Sequence, residues 1–157
     1  MDLAIARALH VLAVVIWAGG LSMATSVALP AVRASQLGAD RLAAFGVFQG
    51  RFVRQARAAI AILGLSGLYM LARLDLWGRF ASPQFLWMHA MVGLWGLFAL
   101  LLFVAEPLFL HRLFARWASR QPGRALATLQ RGHWVLLILT WVTILGAVAG
   151  SQGHPLF

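Results

Sequence analysis

Apolar positions in this chain come in long unbroken runs, and the polar residues gather between them. Four runs, near 3–29, 55–74, 84–110 and 130–150, are long enough to cross a bilayer as helices, which takes roughly 20 predominantly apolar residues at about 1.5 Å each. The pattern predicts an all-α integral membrane protein, an up-and-down bundle of four transmembrane helices forming one domain over residues 1–157. The first run has Arg7 near its start and small residues near its end, as a secretory signal does. Its apolar stretch exceeds the usual signal core of about 7–15 residues, and its removal would leave three spans without a partner.

The connections refine this picture. "PAVRASQLGADRLAAFGVFQGRFVRQAR" is too long for a turn; Asp40 suits an N-cap, and Leu42, Phe45, Phe48 and Phe52 recur at helical spacing. A short interfacial helix running into span two is expected there, with a plain extension of that span as the alternative. "RLDLWGRFASPQ" carries Trp77 and Phe80, residue types of the membrane interface, and Pro83 marks the start of span three. "HRLFARWASRQPGRALATLQRGH" turns at Pro122-Gly123 between helical extensions.

Composition excludes an ordinary water-soluble domain, since the chain is 62% hydrophobic and 11% charged with a mean hydropathy of +0.83. The formal charge of +9 resembles a nucleic-acid signal until its distribution is read. Arg33, Arg41, Arg51, Arg54 and Arg57 lie between spans one and two, and Arg112, Arg116, Arg120, Arg124 and Arg131 around the connection of spans three and four. Only Arg7, Arg73 and Arg79 fall on the other side. This is the positive-inside bias of a bacterial inner-membrane protein, with both arginine-rich connections, and so the interfacial helix, in the cytoplasm and both termini outside. The expected partner is the lipid bilayer rather than nucleic acid, and homo-oligomerisation stays open. With no cysteine, disulfides, thiolate metal sites and c-type haem attachment are excluded.

Topology sorts the five histidines by depth. His10 lies about seven residues into span one and His89 about six into span three, so both sit roughly 10 Å below the outer surface. Ionisable groups within a span usually mark a site or a path, and two imidazoles at one depth suit a ligand held between them. Gly93 and Gly96 lie four and seven residues beyond His89, leaving a flat slot beside one helix face that suits a porphyrin, although close helix packing explains them equally well. Trp17 shares the face of His10 and could wall a macrocycle, while Arg7 could pair with propionates. Met70, Met88 and Met91 gather at the same end, offering thioether ligands for cuprous copper or adaptable packing. His111 and His133 sit at the cytoplasmic ends of spans three and four and His154 in the tail, with no role assigned. Glu106 is expected to pair with Arg131 or Arg54. Tyr69, Ser66, Thr140 and Thr143 can satisfy carbonyls or each other, and no nucleophile with a base, carboxylate dyad or phosphate loop is present.

Three stretches carry a family resemblance. "HVLAVVIWAGGLSMATSVALPAVR" resembles the first helix of the copper-resistance D (CopD) family, in which a histidine, a Trp-x-Gly-Gly and a proline follow in that order. "RFVRQARAAIAILGLSGLYML" and "FLWMHAMVGLWGLFALLLF" are similar to its second and third helices, so the likeness covers most of the chain. The related HemJ-type protoporphyrinogen oxidases share this helix plan, and the resemblance implies b-type haem bound at the first-helix histidine, which His10 matches. Their third helix commonly carries a lysine where this chain has His89. The expectation is therefore a haem b protein with His10 and His89 as axial ligands, Gly93 and Gly96 giving clearance, Trp17 packing on the ring and Arg7 holding a propionate. Its work would be electron transfer between a membrane quinone and another redox protein. Copper transport or resistance through His10, His89 and the methionines is the first alternative, and an oxidoreductase acting on protoporphyrinogen the second.

Overall fold

The computed structural model describes residues 1–36, 40–154 and 156, without the side chains of Arg41, Leu42 and Ala44. Helix α1 covers Asp2–Arg33 and α2 covers Arg41–Arg73. Helix α3 is built from Leu86–Ala99, Leu100–Leu110 and His111–Arg120 in succession, and α4 covers Pro122–Ser151. No strand occurs among the described residues, and all four helices contain a segment long and apolar enough to cross a membrane. Their outward surface is the reverse of a soluble protein's. Leu65 is 71% exposed, Leu108 65% and Leu145 63%, a surface for which hydrocarbon is the matching solvent.

Side-chain contacts define the topology. The start of α1 meets the end of α2 (Asp2 with Tyr69 and Arg73), the end of α1 meets the start of α4 (Arg33 with Gln130), and the start of α3 meets the end of α4 (Trp87 with Gly150). Neighbours are thus antiparallel, the bundle runs up and down, and both termini lie at one end, opposite the two arginine-rich connections. Helices α1 and α3 stand on a diagonal and touch through Trp17 and Phe98, whose ring centroids are 4.7 Å apart edge to face. Around that pair pack Ala13, Leu21, Ala59, Ile60, Leu63, Leu94 and Leu137. The core is close-packed by van der Waals fit, a cohesive force that would persist if hydrocarbon surrounded the helices.

Two connections differ from expectation. The stretch carrying Phe45, Phe48 and Phe52 belongs to one unbroken helix, not to a separate interfacial one, because Asp40 caps it directly: its Oδ1 accepts the Ala43 N–H at 3.0 Å. Phe45 then turns inward onto Leu29, Val32 and Leu126; the side chain of Leu42 lies outside the described residues. The turn between α3 and α4 is Gln121 alone, with Pro122 opening α4, where its missing N–H costs nothing.

Both helices running from the terminal end toward the arginines loosen into π geometry beside a proline, α1 over Ala24–Ala28 before Pro30 and α3 over Leu100–Leu110 around Pro107. In α1 the Thr25 and Ser26 hydroxyls donate to the Leu21 and Ser22 carbonyls, each at 2.7 Å. In α3 the π register would pair the N–H of residue 107 with the carbonyl of Leu102, and Pro107 has none to give. Arg57 of α2 supplies the donor, its Nε lying 2.8 Å from Leu102 O while its Nη2 pairs with Glu106 Oε2 at 2.7 Å. The partner of Glu106 is therefore Arg57, not Arg131 or Arg54.

Candidate functional site

His10 projects from α1 toward α2, where its Nδ1 lies 3.0 Å from Ser66 Oγ. Ser66 has one proton, and its Oγ stands 2.6 Å from the Ile62 carbonyl and 3.2 Å from that of Leu63. The short contact takes that proton, so Ser66 accepts from His10 Nδ1–H and Nε2 keeps the imidazole's free lone pair. The ring lies over Gly67, where a Cβ would stand in ordinary van der Waals contact at 3.4 Å from His10 Cε1. About two turns outward, Tyr69 Oη and Arg73 Nη2 donate to Asp2 Oδ2 at 2.8 and 3.1 Å, which fixes α1 against α2. Sequence reading missed Ser66 and Gly67 as the neighbours of this histidine and Asp2 as the tie between α1 and α2. The available signal was the polar and small pair Ser66-Gly67 at matching depth in span two.

His89 lies elsewhere on the bundle surface. It is exposed on α3, with Nδ1 3.3 Å from its own helix's Phe85 carbonyl and its ring edge-on to Phe80 at 5.1 Å. The Trp17–Phe98 contact sets the register of α1 against α3: His10 is seven residues before Trp17 and His89 nine before Phe98, a depth difference of about 3 Å. Depth is therefore close and direction is not. His10 engages α2, and the structure does not bring the two imidazoles together.

The other expected residues divide similarly. Trp17 is buried against Phe98 in the core. Arg7 is exposed on α1, one turn from His10 toward the terminal end. Gly93 and Gly96 face open space, with no atom within 4 Å of a Cβ built at either. The glycines that do receive side chains are others. A Cβ at Gly64 would come within 2.5 Å of Trp95 Cζ2, whose ring is held by an Nε1–H bond of 2.9 Å to the Ile60 carbonyl, and Gly150 lies against Trp87. Met88 is buried, while Met91 and Met70 are half-buried. Met91 is the residue level with His10 by the same register, and Met70 follows Ser66 by one turn on the same face of α2. Among the described residues no three of His, Asp and Glu gather as a metal cluster. His111 is exposed, His133 bonds the Leu129 carbonyl at 3.0 Å and His154 the Gln152 carbonyl at 3.1 Å.

This arrangement offers one imidazole oriented against α2 by the Ser66 hydroxyl and the Leu63 backbone. No family model matches the chain, and neither does any curated protein or solved structure.

Proposed function

We propose that the protein is a membrane redox protein that holds a b-type haem through His10. The observation that carries this reading is the Ser66 hydrogen bond, because a metal-ligating histidine characteristically donates its other ring N–H to an acceptor that sets tautomer and orientation. The residues fit one axial ligand. Nε2 bears the lone pair, the ring lies over Gly67, and the Asp2–Tyr69–Arg73 contacts keep the two helices in register around it. His89, on another face, does not fit as the opposing ligand from inside this bundle. Bound haem supplies one-electron chemistry tuned by its axial ligand and surroundings. The chain's part is to orient the imidazole, exclude water with its apolar flanks and offer Arg7 as a cation for a propionate. The charge bias supports a bacterial inner membrane with the arginine-rich connections inside and His10 in the outer half. A quinone or another membrane redox protein is the natural exchange partner.

The test is an absorption spectrum of detergent-purified protein, with and without reductant. A Soret band that disappears in His10→Ala supports the reading; no band in well-folded protein sinks it. Cuprous copper is a second reading, favoured by the inward Met88 and by Met91 and Met70 near the level of His10. It requires stoichiometric copper without porphyrin, reduced in Met70→Leu and Met91→Leu. The oxidase reading, from the resemblance to HemJ-type proteins, requires rescue of cells lacking protoporphyrinogen oxidase.

A further inference from the structure

A cleft of about 390 Å³ opens at the arginine-rich end, between the last turn of α1 and the first turns of α4. Its walls are Pro30, Arg33 and Ala34 on one side and Gly123, Leu126 and Gln130 on the other. The α4 residues share one helix face, and Leu126 is a fully buried apolar floor. Across the cleft Arg33 Nη1 donates to Gln130 Oε1, which holds the guanidinium in place. That amide is neutral, so the bond aims the charge without compensating it, and a guanidinium has further N–H donors beyond the one engaged. Among the described residues, no carboxylate lines the cleft. The surrounding end carries ten arginines against two acids, Asp40 and Glu106, and Glu106 is already held by Arg57.

An oriented, uncompensated arginine in an apolar-floored cleft calls for an anion with an apolar attachment. The surroundings indicate where that anion comes from. Trp134 follows Gln130 by one turn on the same face of α4 and is exposed, a residue type that sits at headgroup level, and beyond it α4 presents Ile138 and Leu145 outward. A phosphate in the cleft would thus have hydrocarbon immediately beside it on one side only. We propose that this cleft binds the phosphate headgroup of an anionic phospholipid, with Arg33 as the cation that holds it and Gln130 as the residue that aims Arg33. The proposal uses the membrane-spanning reading of the fold and is independent of haem, copper and His10.

The test is native mass spectrometry of the full-length protein in detergent, titrated with phosphatidylglycerol or phosphatidylcholine. One phosphatidylglycerol per chain should be retained in preference to phosphatidylcholine. Arg33→Gln should lower its retention about fivefold or more, as expected for a surface arginine lost from an anionic-lipid contact. Gln130→Leu should also lower it while leaving every charge in place, and it keeps the test informative should Arg33→Gln fold poorly. Arg116→Gln, which removes the same charge from the same end outside the cleft, should leave retention within about twofold. Equal losses in Arg33→Gln and Arg116→Gln would mean diffuse attraction and overturn the site. Equal retention of the two lipids would overturn it as well. A third arm uses inorganic phosphate alone: if millimolar phosphate displaces the lipid, the cleft takes a free anion and the lipid assignment is wrong.

Discussion

In the half of the bundle that carries the termini, interior helix contacts form where side chains are missing and the ion pair of Asp2 with Arg73 sits at the rim; in the arginine-rich half an ion pair, Arg57 with Glu106, joins α2 to α3 at a break in the backbone. The first half is regular α-helix in α1 and α3, and rings lie on glycines: His10 on Gly67, Trp95 on Gly64, Trp87 on Gly150. Its polar contact between α1 and α2 in the interior is neutral, imidazole to hydroxyl. In the second half the same two helices widen into π turns beside Pro30 and Pro107, and Arg57 with Glu106 repairs the backbone of α3. The difference teaches that irregular backbone in an apolar bundle draws on side-chain donors, from its own helix in α1 and from a neighbouring helix in α3, whereas regular backbone needs only the room to approach.

Replacing Arg57 should break the charged half and is the largest effect expected. Arg57→Ala leaves the Leu102 carbonyl without its donor and Glu106 without its cation in one step. Both side chains are partly exposed, at 33% and 21%, so the loss should fall short of a fully buried pair. About 2–3 kcal/mol is expected. Thermal unfolding in detergent measures it, and Arg57→Lys should recover only part, since an ammonium cannot bridge carbonyl and carboxylate as the guanidinium does. If Arg57→Ala melts like the wild type, the π segment needs no outside donor.

Gly64→Ala tests the other half. The added methyl meets the Trp95 ring, which its bond to Ile60 prevents from simply moving aside. A cost of about 1–3 kcal/mol is expected from overpacking. Gly93→Ala and Gly96→Ala are the contrast. Open space at both positions, together with the better helix propensity of alanine, predicts melting temperatures equal to or slightly above the wild type in the same assay. Comparable losses at all three glycines would mean that the face bearing Gly93 and Gly96 is covered as tightly as that of Gly64.

These contrasts also mark what could be read from the chain. The four long apolar helices were legible because an apolar run of that length has few other uses, and helix α2 was legible in outline because Asp40 and the phenylalanines carry its start. The faces were not. A helix apolar all round has no polar stripe to show which side is inward, so His10, His89, Gly64 and Gly93 look alike in sequence although two face neighbours and two face outward. Depth follows from counting residues and came out within one turn; direction depends on which neighbour's side chain is small, which no single run reveals. The partner of Glu106 escaped for a related reason. Three arginines lie within reach along the sequence, and only the register of α2 against Pro107 selects Arg57.

Ser66→Ala has the smallest expected effect on stability and bears most directly on His10. Removing the hydroxyl takes away the side-chain acceptor of His10 Nδ1–H and leaves the ring only the Leu63 carbonyl, while the Ile62 carbonyl keeps its place in the helix. Interhelical hydrogen bonds of this kind in lipid average about 0.6 kcal/mol, so the melting temperature should fall by only a degree or two. If the imidazole merely packs, nothing else should change. If it ligates a haem, the loss of its orienting partner should reduce retained haem about 10–100-fold, because acceptors that hold the far nitrogen of a ligating histidine have that influence. Ser66→Thr, which keeps the hydroxyl, should restore retention, and His10→Ala should abolish it with a comparably small change in melting. A Ser66→Ala protein that melts slightly early yet retains haem fully would show that this hydrogen bond serves the packing of α1 on α2 and does not tune a ligand.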